Sequence, residues 1–229
     1  MKKLLSLITA VTLANGVCAQ NTQKEPDIIK LPKPNLESKV SVEEALQGRR
    51  STRSYKNEPL SLSEVSQILW AAYGVTQKMS GFRGGLKTAP SAGATYPLEI
   101  YLVAGNVTDL SKGIYRYIPE NHTLKKVYAG DKRSELCAAA HGQSMVRSAP
   151  ASIVYTAIYE RATGRYGVRG KDRYVCMDLG HSAQNVYLQA YTLGIGTCAV
   201  GAFDDSALKS VMPIPKNEIP LYIMPLGKI

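Results

Sequence analysis

The chain has 229 residues, 45% of them hydrophobic, 20% charged and 7% aromatic, which suits one globular core and excludes a disordered or collagen-like chain. Its formal charge is +10, which admits nucleic acid, an anionic membrane or an anionic small molecule as partner. No helix-turn-helix, zinc-finger spacing or stacked-aromatic motif supports nucleic acid, so the charge is assigned partly to a cofactor site and partly to solubility.

The chain starts with Met1-Lys2-Lys3, an apolar run from Leu4 to Leu13, and the small-residue pattern Val17-Cys18-Ala19 before Gln20. Residues 1–19 therefore read as a secretory signal peptide cut after Ala19, and the protein as exported, periplasmic or secreted. The apolar run is too short to span a bilayer, and no integral membrane segment is expected after cleavage. A lipoprotein anchor at Cys18 is the lesser alternative, because Asn15-Gly16-Val17 fits that signal poorly. Residues 20–40, with Pro26, Pro32 and Pro34, read as an extended arm, and the folded domain is expected over 41–229.

Ser41-Val42-Glu43-Glu44 reads as a capping box opening a short helix that runs to Gly48. Immediately after it, Arg49-Arg50-Ser51-Thr52-Arg53-Ser54-Tyr55 places three guanidinium groups within seven residues. Two readings stand side by side. Cations collect after a helix C-terminus because the dipole favours them, and Arg with Ser or Thr hydroxyls forms a cradle for phosphate. Ser61-Leu62-Ser63-Glu64 is a second capping box, followed by apolar positions at helical spacing up to Gly74, with the lone Trp70 in a packing role. Residues 75–90 read as an exposed, Gly- and Lys-rich loop.

Pro90-Ser91-Ala92-Gly93-Ala94 is small enough to admit a flat ligand or another subunit close to the backbone, or is simply a tight turn. A strand follows over Leu98–Ala104, then a hairpin turning at Pro119 to His122, a helix over Asp131–Ala140, a buried strand over Ala151–Tyr159 and a long helix over Asp172–Leu193. Gly180, Ser182 and Ala183 mark a close helix crossing, and a helix around Asp204 to Val211 and a strand over Leu221–Leu226 close the chain. The pattern is α+β without a βαβ rhythm, and neither GxGxxG after an early strand nor GxxxxGK[ST] is present. Cys137, Cys176 and Cys198 form no CxxC pair and no metal site is expected. Cys176 and Cys198 read as buried small hydrophobes, and a disulfide is not readable. Neither Ser91 nor Cys198 has a recognisable base, so hydrolase chemistry is unsupported.

Taken together, "RRSTRSY", "APSAGATYPLEIYLV" and "GHSAQNVYLQAYTLGIGTCAVGAF" resemble the nitroreductase superfamily of FMN-dependent oxidoreductases. "GIYRYIP" and "GRYGVRGKDRYVCMDLGHSAQN" are most similar to its SagB-type dehydrogenase branch, which includes azoline oxidases of peptide natural-product pathways. The resemblance implies a mostly antiparallel central sheet flanked by helices, an intertwined homodimer with FMN at the interface, and NAD(P)H as the usual electron donor. By position it implies Arg49, Arg50, Ser51 and Arg53 around the FMN phosphate and ribityl chain, and Pro90, Ser91, Ala92 and Gly93 against the flavin of the other subunit. It further implies the Val200-Gly201-Ala202 amides near flavin N5, and a last basic contact that falls to Lys228. The branch's Lys-Tyr pair corresponds to Arg165 and Tyr166. Tyrosine remains a proton donor or acceptor, but arginine does not give up its proton at working pH. His181, Gln184 and Asn185 share a helix face, read mainly as structural at the dimer seam. The expected activity is an FMN-dependent oxidoreductase acting on a small molecule. The alternatives are a non-catalytic flavin-binding protein on the same fold and a basic binding protein for another anion.

Overall fold

Two strands with no polar face lie at the centre of the molecule. Leu98–Ala104 (β4, strands numbered in chain order) and Ala151–Ala157 (β7) are buried at every position, which requires cover on both sides of a sheet. They pair antiparallel from Leu98 opposite Ala157 to Ala104 opposite Ala151. The computed structural model describes residues 28–229; the signal peptide expected over 1–19 and the start of the arm lie outside the described residues.

Outwards from β4 come Gly113–Ile118 (β5), Thr123–Ala129 (β6) and Ile28–Lys30 (β1); outwards from β7 come Ile219–Lys228 (β9) and Ile195–Thr197 (β8). The sheet order is β1-β6-β5-β4-β7-β9-β8, with every neighbouring pair antiparallel. Strand alternation sends Leu98, Ile100, Leu102, Ile153 and Tyr155 to one core, shared with helices Leu62–Tyr73 (α2) and Val175–Thr192 (α6). Tyr101, Val103, Val154 and Ile223 go to the other, covered by Arg133–Ala139 (α3), Ser144–Ser148 (α4) and Asp205–Val211 (α7). The fold is α+β, as expected, with helices on both faces of an antiparallel sheet.

Local signals mark the helix starts. Val42–Gly48 (α1) begins at Ser41, whose Oγ accepts the Glu44 amide at 3.1 Å, so the Ser41 half of the expected capping box forms. At α2 both halves form: Ser61 Oγ accepts the Glu64 amide, and Glu64 Oε2 accepts the Ser61 amide. The other Glu64 oxygen takes the Lys228 ammonium. That ion pair joins the last strand to α2 and draws Lys228 away from the anion-binding role expected of it.

Elsewhere, burial overrides sequence appearance. The expected loop over 75–90 contains a two-stranded hairpin, Val75–Gln77 (β2) with Leu86–Lys87 (β3). Glu160–Tyr166 (α5) is a helix that no periodicity announces, and a π-helical turn, Gly170–Tyr174, leads into α6, which starts at Val175 and not at Asp172. Ser182 lies in the α2–α6 crossing and donates to the Ala72 carbonyl at 2.7 Å, whereas Gly180 faces out. Cys198 and Cys137 are buried, but Cys176 is exposed on the outer side of α6, and all three are free thiols.

The arm is fixed by β1, which pairs with β6, and by one hydrogen-bond knot. Ser66 Oγ–H donates to the Pro32 carbonyl at 2.6 Å, and that leaves Ser66 Oγ to accept from His122 Nε2–H at 2.7 Å. The same Nε2 is 3.0 Å from the Pro32 carbonyl, so Nδ1 is bare and accepts the Tyr117 hydroxyl at 2.8 Å. The network fits a neutral imidazole, and burial holds the His122 pKa below its ordinary value. The unfolded chain thus binds the proton more readily, so this stabilisation is present above the ordinary histidine pKa and is lost as pH falls through the lowered folded value. Amide exchange at residues 28–33 is expected to quicken as pH falls below that range, after correction for intrinsic rates, and His122→Gln should remove the pH dependence.

Candidate functional site

The arginine-rich segment has little secondary structure of its own and is positioned by a strand. Ser51 forms an isolated parallel bridge with Thr197 of β8, and the Thr52 amide donates to the Thr197 carbonyl at 2.9 Å. The Arg49 guanidinium then lies over the ring of Tyr187 on α6, 5.4 Å from its centroid. Ser51 Oγ is 3.1 Å from the Tyr187 hydroxyl, which accepts the Ala199 amide at 2.7 Å. Arg50 curls back, and its Nη1 donates to the Gln47 and Arg49 carbonyls at 2.8 Å each. Arg50 thus meets carbonyls at the end of α1, as the helix-end reading of the cluster expects, and it also borders a cavity.

That cavity, about 220 Å³, is lined by Arg49, Arg50, Thr52, Tyr187, Tyr191 and Thr197 among others. The Thr197 hydroxyl is buried and has no hydrogen-bond partner among the described residues. Guanidinium N–H groups, hydroxyls and one unspent buried polar atom fit the phosphate and ribityl end of FMN. Arg53 does not line the cavity. Its charge falls on Tyr55 and Cys198, where it opposes the burial that pushes both acids up.

A second cluster hangs from the N-terminal part of α6. Asp178 is 2% exposed; its Oδ2 accepts Ser91 Oγ–H at 2.6 Å and its Oδ1 the Ala92 amide at 3.2 Å. Ser91 Oγ in turn accepts the Tyr96 amide at 2.9 Å. Burial raises the Asp178 carboxyl, while these hydrogen bonds and His181 pull it back down. The turn passes through Gly93 at φ 58°, a left-handed conformation that glycine adopts without strain. Arg165 Nη1 donates to the Gly93 carbonyl at 3.2 Å, and a Cβ at Gly93 would come within 2.3 Å of the Tyr166 hydroxyl. The Arg165–Tyr166 pair of α5 thus sits directly on the small-residue turn. Tyr166 also packs edge-on to Tyr174, with ring centroids 4.9 Å apart. Pro90 and Gly93 are exposed.

In the third segment the Val200 amide donates to the Ile223 carbonyl at 2.9 Å. The exposed part of this turn is Gly201 and Ala202, the latter held through its carbonyl by Gln143 Nε2 at 2.9 Å.

One helix connects these parts. Asp178 and Tyr187 are nine residues apart, about 13 Å along the axis of α6. Asp178, Ser182, Asn185 and Gln189 form an inward polar stripe at helical spacing. Asn185 donates to the Thr88 carbonyl at 3.2 Å and Gln189 accepts from Gln67 at 3.0 Å. His181 and Gln184 face out, whereas Asn185 turns inward and does not share their face. Asp178 and Tyr187 were not singled out from sequence; the repeat of polar residues in an otherwise packed helix was the available signal. No described helix is long and apolar enough to cross a membrane, and no His, Cys, Asp or Glu group among the described residues is placed to hold a metal.

The family model described as "Nitroreductase family" matches residues 46–228. A nitroreductase-named protein of Methanocaldococcus jannaschii is 45% identical over 202 residues, 88% of this chain and 98% of that one. The microcin B17-processing protein McbC of Escherichia coli is 28% identical over 146 residues, 61% of this chain and 53% of that protein. A solved structure of a nitroreductase-named protein from Ralstonia eutropha superposes with a TM-score of 0.74 at 29% identity, covering 88% of this chain and 89% of that one.

Replacing Asp178 by Ala leaves the Ser91 hydroxyl and the Ala92 amide without their partner, at a cost of about 1–3 kcal/mol. A melting temperature lower by about 2–4 °C per kcal/mol is expected, with faster amide exchange confined to residues 91–96.

Proposed function

The chain belongs to the nitroreductase family, and from that premise we propose that it is an FMN-dependent oxidoreductase working as a homodimer. It transfers a hydride or electrons between a donor such as NAD(P)H and a flat organic acceptor, or takes them from a small substrate that it dehydrogenates. The observation that carries this reading is the cavity between Arg49, Arg50 and the unpartnered Thr197 hydroxyl. In this reading Arg49 and Arg50 hold the cofactor's phosphate, each charge-assisted contact contributing about 1.5–3 kcal/mol. The Thr52, Tyr187 and Thr197 hydroxyls receive the ribityl chain. FMN, when bound, supplies the hydride chemistry, so few catalytic side chains are needed.

The chain's own residues orient and exclude. The amides of Gly201 and Ala202 are the exposed donors for the ring's polar edge, and the Ser91–Gly93 turn, lacking bulk, lies against a flat ring. The distance between the two clusters along α6 supports a cofactor shared by two copies, one giving the arginine cavity and the other the turn. The outward stripe of α6 supports it too: Gly180, His181 and Gln184 are exposed, and Met177 is 53% exposed.

Tyr166 is the proton-handling group at the turn. Arg165, standing where the similar branch has lysine, keeps its proton and orients an anionic substrate group. This argues against azoline oxidation as the reaction, although McbC, named for microcin processing, is among the similar proteins. The export expected from residues 1–19 adds a constraint, since NAD(P)H is scarce outside the cytoplasm. It favours another donor, a dehydrogenase running in the oxidative direction, or cofactor loading before translocation.

The purified protein is expected to be yellow or to turn yellow with FMN and quench its fluorescence. Arg49→Gln and Arg50→Gln should each weaken FMN binding about tenfold or more. A protein that stays colourless in added FMN overturns the proposal. Anaerobic reduction with NADH and NADPH, followed by an acceptor panel, identifies the donor. Tyr166→Phe should slow turnover while leaving FMN affinity within about twofold, because proton transfer by a positioned group contributes roughly 10²–10⁴-fold.

A further inference from the structure

A second polar cavity lies on the other side of the Ser91–Tyr96 turn. Its base is Glu99 of β4, 9% exposed and gripped on both oxygens. Arg116 reaches Oε2 with Nη2 at 2.8 Å and Nε at 3.1 Å, and Arg161 reaches Oε1 at 2.5 Å. Arg161 Nη1 also donates to the Tyr96 carbonyl at 3.1 Å. The β2–β3 hairpin brings two more cations. The Lys87 side chain is only 4% exposed, with Nζ 4.4 Å from the Tyr73 ring centroid and 5.1 Å from that of Tyr96. Its nearest carboxylate, Glu120, is 3.9 Å away and 40% exposed. Arg83 forms no ion pair among the described residues. Tyr117 completes the ring of titratable groups, its hydroxyl spent on His122.

All of these residues except Tyr96 and His122 line a cavity of about 180 Å³. Four cations there face two carboxylates, and both Glu99 oxygens are already taken by Arg116 and Arg161. Lys87 and Arg83 are left with Glu120 between them. Tyr73, 2% exposed, lines the same cavity, and beyond the Leu98 amide that its oxygen faces, its hydroxyl has no hydrogen-bond partner among the described residues. Burial pushes Lys87 down to about 8, with Arg83 and Arg161 adding to the fall and Glu120 and Glu99 opposing it. Burial and Arg161 likewise lower Arg83. A buried cation such as Lys87, with the exposed Arg83 adding positive charge at the cavity, is costly unless a negative group joins it.

We propose that this cavity binds a small oxyanion of the size of sulfate or inorganic phosphate, held by Lys87, Arg83 and the Tyr73 hydroxyl. The site is separate from the arginine cavity beside Tyr187. Because Arg161 and the Tyr96 hydroxyl, which accepts the Lys87 amide at 3.3 Å, join it to the turn, the occupant braces the turn from behind.

The test uses FMN-saturated protein, or the protein as purified if FMN does not bind, with sulfate as a probe whose charge is constant from pH 6 to 10. Sulfate should raise the melting temperature above the effect of chloride at matched ionic strength. The effect should fade as pH rises through about 8 and Lys87 loses its charge. Lys87→Met should weaken sulfate binding about tenfold or more, and Arg83→Gln, at an exposed position, gives the same reading should Lys87→Met fold poorly. Inorganic phosphate and acetate separate a preference for tetrahedral dianions from one for carboxylates. Equal responses to sulfate and chloride, or an unchanged sulfate response in both variants, overturn the proposal. Loss of FMN binding with the sulfate response intact would count against the flavin reading alone.

Discussion

The carboxylate of Asp178 sets the position of the segment on which the candidate site depends. It is buried at the start of α6, and it binds the Ser91 hydroxyl and the Ala92 amide while Ser91 binds the Tyr96 amide. Tyr96 in turn ties to Arg161 and Lys87, and Gly93 to Arg165. A short turn without bulky side chains has little packing to hold it, so directional hydrogen bonds define its shape. The same helix, two to three turns on, supplies Tyr187, which fixes Arg49 and Ser51. One rigid element therefore sets both halves of the site.

What could be read from the sequence follows the range of the physics. Both N-caps were legible because Ser41 and Ser61 act on amides three residues away. The fully buried strands were legible because β4 and β7 need apolar residues on both faces. The arginine cluster stood out through its local charge density, and the small-residue turn through its lack of bulk. Hidden were the features that arise only when distant segments meet. Lys87 looked like part of a solvated loop, yet it lies between Tyr73 and Tyr96. Lys228, expected by resemblance to meet the cofactor phosphate, is paired with Glu64. Cys176 and Cys198 occupy similar apolar sequence, but Cys176 lies on the outer side of α6 while Cys198, directly after β8, enters the core. Arg53 belongs to the same run as Arg49 and Arg50, but its charge falls on Tyr55 and Cys198.

The arginines also show how one residue type divides among jobs according to its neighbours. Arg50 answers the carbonyls that end α1, Arg49 lies on an aromatic face, Arg161 and Arg116 neutralise a buried glutamate, and Arg165 holds a glycine carbonyl. A net positive charge in the sequence thus resolves into some guanidinium groups already satisfied within the fold and a smaller number still able to meet an anion.

The strand bridge at Ser51 and Thr197 has a consequence for how the protein behaves in a crowded solution. A β-sheet that ends in unpaired backbone groups offers a template for foreign strands and so a starting point for aggregation. Here one end is the three-residue β1, with Lys30 exposed on it, and the other is β8, flanked by Ser51 and Thr52. The cationic segment that borders the candidate cofactor cavity is therefore also the guard on that margin. A ligand that steadies it would guard the sheet edge against foreign strands as well as equip the protein for chemistry.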